Sequence, residues 1–342
     1  MKRRNFLSKT IKSSIALSTI GLISCKNNSK SLLPFKKINS NFSHDLFKLS
    51  LAQWSIHRLI EDEIISPYEF AKFARNWGFS GLEYVSDLYK INEASNKLSA
   101  IKKFVSKSIE QSDQYNLENL LIMIDEEGDL SVKSKNERDE AIINHHKWID
   151  AAAQMGCHSV RINLFGVNDP IAWAEYSKES LIALSEYSSK LNINILVENH
   201  GYLSSNSALL MEVLNDVNLP NCGTLPDFGN FCLGRVGGDR WDTECLEEYD
   251  KYKGVNELLP MAMAVSAKSY NFDSNGQETT IDFSKMMQMV KDSGYKGYIG
   301  VEYEGDILSE QDGTLATRKY LVMPLRAKRV IPRRCLSPIP SA

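Results

Sequence analysis

The stretch that decides the fold is INILVENHG, residues 193–201, in which an apolar run ends on a carboxylate and a loop begins. Seven other short apolar or alternating runs follow the same rhythm, each succeeded by a helical pattern. The eight predicted strands are Lys48–Gln53, Gly81–Val85, Leu120–Ile124, Ser159–Asn163, Ile193–Asn199, Gly223–Asp227, Ala264–Tyr270 and Tyr298–Tyr303. Their starts lie 30 to 41 residues apart, the length of one strand, one helix and two loops. This repetition predicts an α/β fold, a single (β/α)8 TIM barrel over residues 45–323.

The helices between these strands begin at recognisable signals. Ser66-Pro67 and Asp169-Pro170 each place an N-cap residue before a proline, which is favoured at the first helical position. Asp139–Met155 carries apolar side chains at helical spacing and ends at Gly156. No Gly-x-Gly-x-x-Gly or Walker pattern accompanies them, so a nucleotide cofactor has no support in the sequence.

Composition and charge exclude several classes of protein. The 342 residues are 43% hydrophobic and 24% charged, which is the range of a globular chain with a full core. No apolar run approaches the roughly 18 residues that span a bilayer. Residues 1–43 carry nine Lys and Arg, and residues 324–342 carry five, with no acid in either segment. The 26 basic and 43 acidic residues between them give a net charge of −17, which argues against nucleic-acid binding.

The two basic ends are predicted to lie outside the barrel. Arg3 and Arg4 form a twin-arginine pattern, and Leu22-Ile23-Ser24-Cys25 has the form of a lipobox, so residues 1–25 predict an export signal with Cys25 lipidated after cleavage. The alternative is a basic helix start with a chance cysteine. Residues 26–44 are then a polar linker, and the protein is a periplasmic or cell-envelope lipoprotein that meets the membrane only through its lipid anchor. Residues 324–342 contain four prolines and no helical period, which predicts an irregular tail.

Three predicted strands end on carboxylates: Glu198 on the fifth, Asp227 on the sixth and Glu302 on the eighth. In a (β/α)8 barrel the carboxyl ends of the strands build the active site. Like charges that converge there are costly unless a cation neutralises them, so the pattern predicts a divalent metal held by these three residues. All-oxygen ligation favours Mg²⁺ or Mn²⁺ over zinc. The alternative for each acid alone is a solvated loop carboxylate or a helix N-cap.

Four segments resemble strand-end motifs of the sugar phosphate isomerase/epimerase family, the xylose isomerase-like TIM barrels. They are Val197-Glu198-Asn199-His200-Gly201, Pro226-Asp227-Phe228-Gly229-Asn230, Ser266-Ala267-Lys268 and Gly300-Val301-Glu302-Tyr303. The similarity covers residues 46–321 and includes the first-strand segment 51–58. It implies a TIM barrel in which Glu, Asp, His and Glu from strands five to eight hold a divalent metal, with the two glutamates flanking the sugar as acid and base.

Carried over by position, the resemblance assigns Glu198, Asp227 and Glu302 to three of the four ligand positions. Where the family has a histidine on strand seven, this chain has Ser266, and Lys268 follows two residues later on the same strand face. Three arrangements stay open: a water at that position, weak metal binding, or replacement of the metal's charge by the Lys268 ammonium. We expect Glu198 and Glu302 to be the catalytic acid–base pair as well as ligands, and Asp227 to be a ligand only.

Six further residues near the predicted mouth are candidates for substrate binding: Trp54, His57, Arg161, His200, Asn230 and Lys268. Arg161 and Lys268 lie in apolar strands, so each requires an acid or a substrate oxygen nearby. The alternatives are core packing for Trp54, a backbone-bonded loop histidine for His200 and a helix N-cap for Asn230. The cysteines at 157, 222, 232 and 245 have no partner spacing, and we expect buried free thiols. Export permits a disulfide, but the sequence does not select a pair.

These patterns together predict an enzyme that acts on a small carbohydrate. The leading function is a sugar isomerase or epimerase that moves a proton next to a carbonyl through a metal-stabilised enediolate. One alternative is a lyase or hydratase that acts on 3-oxo-glycosides with the same site. Another is a non-catalytic sugar-binding lipoprotein. The sequence does not specify the sugar, the stereocentre or the oligomeric state.

Overall fold

The computed structural model describes residues 47–322, and its centre is a curled sheet of eight parallel strands. These strands are β1 Lys48–Ala52, β2 Gly81–Val85, β3 Glu118–Met123, β4 Ser159–Ile162, β5 Asn194–Glu198, β6 Cys222–Leu225, β9 Val265–Ser269 and β10 Tyr298–Tyr303. They are hydrogen-bonded in the order β6-β5-β4-β3-β2-β1-β10-β9. Each one coincides with a predicted strand to within a few residues. The predicted TIM-barrel-like α/β architecture is therefore confirmed, whereas the predicted signal, Cys25, linker and tail lie outside the described residues.

The two outer strands of the sheet, β6 and β9, meet through isolated parallel bridges at Thr224–Ala262 and Asp227–Ser266. Pro226 has no amide hydrogen to donate, but its carbonyl oxygen accepts the N–H of Ser266 at 2.9 Å. The Phe228 N–H then donates to the Ser266 carbonyl oxygen at 3.1 Å. This closure of the sheet holds the residues that follow β6 directly against β9.

Helices follow the strands along the chain and cover the outside of the sheet. They are α1 His57–Glu61, α2 Phe70–Asn76, α3 Lys97–Tyr115, α4 Lys135–Gln154, α5 Pro170–Ser189, α6 Ser207–Val217, α7 Lys251–Leu258, α8 Phe283–Asp292 and α9 Glu310–Val322. Asp169 caps α5 as predicted, its side chain accepting the Ala172 N–H at 2.9 Å. The helix predicted from Asp139 begins earlier, because Ser134 provides its cap. None of the described helices is long and apolar enough to cross a membrane.

A two-stranded antiparallel hairpin is inserted between β6 and α7, and the sequence prediction missed it. Its strands are β7 Cys232–Arg235 and β8 Cys245–Glu248. Their pairing brings the Cα atoms of Cys232 and Cys245 to 5.8 Å, and the two residues form a disulfide. The expectation of free thiols was therefore wrong for this pair and is confirmed for Cys157 and Cys222, which are buried and unpaired. We call residues 232–248 the strap.

Replacing both Cys232 and Cys245 by serine is expected to lower the free energy of unfolding by about 3 kcal/mol, because a cross-link that closes a loop of roughly 15 residues restricts the unfolded chain by about that amount. Chemical denaturation followed by circular dichroism measures the difference. Reduction of the wild type with dithiothreitol is the matched control and should give the stability of the double variant. Equal stabilities of oxidised and reduced wild type would contradict the prediction.

Candidate active site

The structure brings together the three carboxylates that the strand ends predict. Glu198 is the last residue of β5, Asp227 lies two residues beyond β6, and Glu302 lies near the end of β10. Each offers one oxygen, and these three atoms lie within 4.8 Å of one another. All three side chains are buried. Their negative charges therefore share one small volume at the carboxyl end of the barrel.

Two buried cations flank this carboxylate cluster. Arg161 Nε lies 2.8 Å from Glu198 Oε2, and Arg161 Nη1 donates to Asp125 Oδ1 at 2.7 Å. On the opposite side, Lys268 Nζ lies 3.2 Å from Glu302 Oε1 and 3.1 Å from Glu304 Oε2. The two strand cations thus meet acids, as their positions in apolar strands require.

Neutral donors occupy the remaining carboxylate oxygens. The Ser266 hydroxyl lies 2.7 Å from Asp227 Oδ2 and 3.0 Å from Glu302 Oε2, and its single proton serves one of them at a time. Asp227 Oδ1 accepts the backbone N–H groups of Gly229 and Asn230, both at 2.8 Å. The Asn230 side chain donates to Glu198 Oε1 at 3.2 Å. Every oxygen of the three carboxylates therefore has a protein donor beside it.

Burial and mutual repulsion favour a proton on this cluster. Burial raises the pKa of Glu198 to about 8, against the lowering effect of Arg161 and with a further rise from Asp227 and Glu302. Burial likewise raises the pKa of Asp227 to about 6, although Lys268 lowers it. For Lys268, burial alone lowers the pKa, but the charges of Glu302, Glu304 and Asp227 outweigh it and raise the value well above its usual range. Lys268 therefore stays charged, while the carboxylates share a proton near neutral pH.

The donor set also fits a hard divalent cation. Three carboxylate oxygens around one centre are ligands of the type that Mg²⁺ and Mn²⁺ prefer, and the acids could form such a metal site. Ser266 stands on β9 where the resembling family has a histidine, and its hydroxyl is bonded to two of the carboxylates. A bound cation would be held by Glu198, Asp227 and Glu302, with Ser266 fixing the orientation of the last two.

A cavity of about 1110 Å³ reaches the cluster at Glu302, and the predicted substrate-binding residues divide into those that line it and those that do not. Trp54, Arg161, His200 and Asn230 line this cavity. His57 is not among its lining residues: its ring stacks on Trp54 at 4.2 Å and its Nδ1 lies 2.6 Å from the Trp54 carbonyl oxygen. Lys268 lies beneath the lining, paired with Glu302 and Glu304.

Sequence reasoning missed the residues that position Arg161 and His200. Asp125 Oδ1 accepts from Asn163 Nδ2 at 2.6 Å as well as from Arg161, and His200 Nδ1 lies 2.7 Å from Asn163 Oδ1. Asp125 and Asn163 each lie at the end of a predicted strand, and this position is the sequence feature that could have identified them as site residues. Burial, with the Arg161 and Lys268 charges, lowers the pKa of His200 to about 3, so its ring is neutral.

A further buried acid, Glu83 on β2, lies inside the barrel and was also missed. Its Oε1 accepts the hydroxyl of Ser50 at 2.5 Å. Burial raises the pKa of Glu83 to about 7, partly offset by this hydrogen bond. A Cβ on Gly300 would lie 2.5 Å from the carboxylate, so a glycine is required at that position of β10.

The fold and the carboxylate cluster define a class of protein, and the sequence comparison identifies it. Residues 71–322 match the family model described as xylose isomerase-like TIM barrel. The chain belongs to this family. The resemblance expected from the strand-end motifs is thereby confirmed.

Individual relatives are more distant. The C-glycoside deglycosidase alpha subunit of Arthrobacter globiformis is 32% identical over 54 residues, which are 16% of this chain and only 15% of that protein. The crystal structure of 3-keto-D-glucoside 4-epimerase from E. coli superposes with a TM-score of 0.57 at 11% identity, covering 75% of this chain and 93% of that one. A xylose isomerase-like TIM barrel protein from Mycobacterium smegmatis, solved with magnesium, has a TM-score of 0.55 at 15% identity over 81% of this chain and 96% of that one. These structures share the fold.

The affinity of the chain for Mn²⁺ is expected to rise from pH 6 to pH 8, by up to about tenfold per pH unit for each proton released, because carboxylates with raised pKa values must lose their protons before they bind metal. Electron paramagnetic resonance of free Mn²⁺ measures the affinity. Asp227→Asn should weaken binding at every pH, whereas Asp306→Asn, an exposed acid in the following loop, should leave it unchanged. A flat pH profile or an unaffected Asp227→Asn variant contradicts the assignment.

Proposed function

We propose that this protein is an enzyme that moves a proton at a sugar carbon next to a carbonyl, as an isomerase or epimerase. The observation that carries the proposal is the buried cluster of Glu198, Asp227 and Glu302, whose oxygens lie within 4.8 Å of one another, with Glu302 lining an open cavity. Two carboxyl groups at one centre can remove a proton and return one. The sugar-processing activity named for the similarly folded E. coli epimerase supports a small carbohydrate as substrate.

Glu302 and Glu198 divide the proton transfer between them. Glu302 removes the proton from the carbon, the electrons of the C–H bond form the double bond of an enediolate, and negative charge moves to the carbonyl oxygen. When no ion is bound, burial raises the pKa of Glu198 to about 8, so this side chain carries the proton that is returned to the other face or to the neighbouring carbon. Asp227 does not exchange protons with the substrate, because one of its oxygens accepts two backbone N–H groups.

Fixed positive charge is available for the enediolate. Arg161 and Lys268 are buried beside the two glutamates, in surroundings where water screens little of their field. Mg²⁺ or Mn²⁺ held by Glu198, Asp227 and Glu302 would supply Lewis acidity at the carbonyl oxygen. Trp54 and Asn230, which line the cavity, are placed to contact the sugar ring and its hydroxyl groups.

A second candidate is elimination from a 3-oxo-glycoside. It uses the same base, but the electrons of the enediolate expel the group on the neighbouring carbon instead of collecting a proton. The segment similar to a C-glycoside deglycosidase alpha subunit favours this candidate, and so does a cavity larger than a single sugar needs. The two reactions differ in whether the carbon–oxygen or carbon–carbon bond to the aglycone survives.

Glu198→Gln and Glu302→Gln are each expected to lower kcat by about 10²- to 10⁴-fold, with KM changed only a few-fold, because each removes one general acid–base group. Ketoses and 3-oxo-glycosides are incubated in D₂O and followed by NMR. Deuterium at carbon with the skeleton intact identifies isomerisation or epimerisation, and aglycone release identifies elimination. Glu118→Gln is the matched control, since Glu118 is an exposed acid at the start of β3. Absence of both products in the wild type contradicts both candidates and leaves a sugar-binding protein.

We further propose that the chain is exported and anchored through Cys25. The Cys232–Cys245 disulfide supports this location, since such bonds persist in oxidising compartments. Cells expressing the full chain should incorporate labelled fatty acid into the wild type, and Cys25→Ser should abolish the label and move the protein from the membrane to the soluble fraction. Cys222→Ser is the matched control, because this thiol is buried in the barrel. Equal labelling of wild type and Cys25→Ser refutes the anchor.

A further inference from the structure

The strap is cross-linked internally and is held at the mouth of the barrel by two hydrogen bonds to neighbouring loops. Its two strands are joined by the disulfide, and Arg240 Nη2 donates to Asp129 Oδ2 at 2.8 Å in the loop after β3. On the other side, the Tyr202 hydroxyl donates to the Asp239 carbonyl oxygen at 2.5 Å. The tip of the strap is therefore held in place above the cavity.

The strap completes a cluster of three rings on the cavity wall. Trp241 meets Phe165 edge to face, with ring centroids 5.2 Å apart, and the Trp241 ring lies 4.7 Å from that of His200. The Arg240 guanidinium covers Phe165 at 4.2 Å. We call Phe165, His200 and Trp241 the aromatic cluster. All three line the cavity, and Trp241 is 44% exposed, so a face of its ring is free to receive a ligand.

The aromatic cluster is a neighbour of the reacting centre. His200 follows Glu198 by two residues, and its Nδ1 contacts Asn163, which is hydrogen-bonded to Asp125 beside Arg161. The same cavity is lined by Arg161, Asn230 and Glu302. Its volume of about 1110 Å³ lies just above the roughly 300–1,000 Å³ typical of sites for drug-sized ligands. Because Glu302 and Trp241 line the same cavity, a ligand that contacts Glu302 can extend toward Trp241.

The charge of the wall decides which ligands this cavity admits. Eleven acidic and four basic residues line it. Of the basic residues, Arg161 is paired with Asp125 and Glu198, and Arg240 is paired with Asp129. A phosphate or carboxylate on the substrate would meet repulsion here, whereas a neutral molecule would not.

We propose that the aromatic cluster is a second subsite and that the substrate is an uncharged oxo-glycoside, a glycoside with a carbonyl in its sugar ring, whose aglycone is a flat aromatic group. This inference rests on the proposed function, because the carboxylate cluster holds the sugar. The aglycone stacks on the exposed face of Trp241, and the offset or edge-to-face arrangements that aromatic pairs prefer are open to it there. The strap thereby determines specificity, because it selects glycosides by the chemical nature of their aglycone.

The test uses matched pairs of methyl and phenyl glycosides of glucose, galactose and xylose, titrated into the full chain by isothermal calorimetry. For the sugar that binds, the phenyl glycoside should bind about tenfold more tightly than the methyl glycoside, which is the strength of one aromatic pair. Trp241→Ala should abolish that preference and leave the methyl glycoside within about twofold of wild type. Trp241→Phe should retain most of it. A 6-phosphate on the glucoside should weaken binding at least tenfold.

Leu246→Ala is the matched control, since Leu246 is an exposed strap residue outside the cavity lining and should leave both affinities unchanged. Thermal unfolding of each variant verifies that it is folded. Equal affinities for the members of a pair in the wild type, or a preference that survives Trp241→Ala, would overturn the subsite while leaving the proton-transfer function standing. Failure of every glycoside to bind would also overturn the subsite, whereas the proton-transfer function is decided separately by the D₂O experiment on ketoses and 3-oxo-glycosides.

Discussion

The structure depends on how it offsets the repulsion among three buried carboxylates. At a separation of 4.8 Å and an effective dielectric constant of about 20, two unit charges repel by about 3–4 kcal/mol, so the three pairs would cost on the order of 10 kcal/mol if every acid were ionised. That cost is comparable to the whole stability of a domain, about 5–15 kcal/mol. Arg161 and Lys268, both buried within 3.2 Å of a cluster oxygen, supply the opposing charge. The three carboxylates are stable together only because these two cations lie beside them. The negative charge that remains on the cluster favours binding of a proton or a metal cation.

The order of the strands produces this balance. Lys268 of β9 lies directly opposite Glu302 of β10 in the parallel register, so the two side chains point to the same side of the sheet. Arg161 lies on β4, the strand next to β5, and its side chain extends along β5 to contact Glu198. Each glutamate therefore receives its cation from the adjacent strand. Asp227, at the closure between β6 and β9, is stabilised locally by hydrogen bonds from backbone N–H groups and the Ser266 hydroxyl.

The parts of the site that were predictable from the sequence are those with a local signature. An apolar run that ends on an acid marks a strand end wherever it occurs, and this was sufficient for Glu198, Asp227 and Glu302. Asp125 and Asn163 occupy equivalent positions, but their partners are fixed by the register of neighbouring strands, which no single segment encodes. The strap was missed because its strands have four residues each and pair across an intervening loop. Its trace in the sequence is the spacing of 41 residues between the sixth and seventh predicted strands, the longest of the series.

Ser266 shows how one substitution changes what such a site can do. A neutral imidazole on β9 would offer a nitrogen to a metal, whereas the serine hydroxyl gives its proton to Asp227 or Glu302 and binds metal poorly. Two residues further along the same strand face, Lys268 contributes a charge that is present whether or not an ion is bound. An anion that forms on a substrate near Glu302 therefore lies in the field of this buried cation, in surroundings that screen it weakly. The electrostatic part of the chemistry is thus built into the chain, and an ion adds to a positive charge that β9 already supplies.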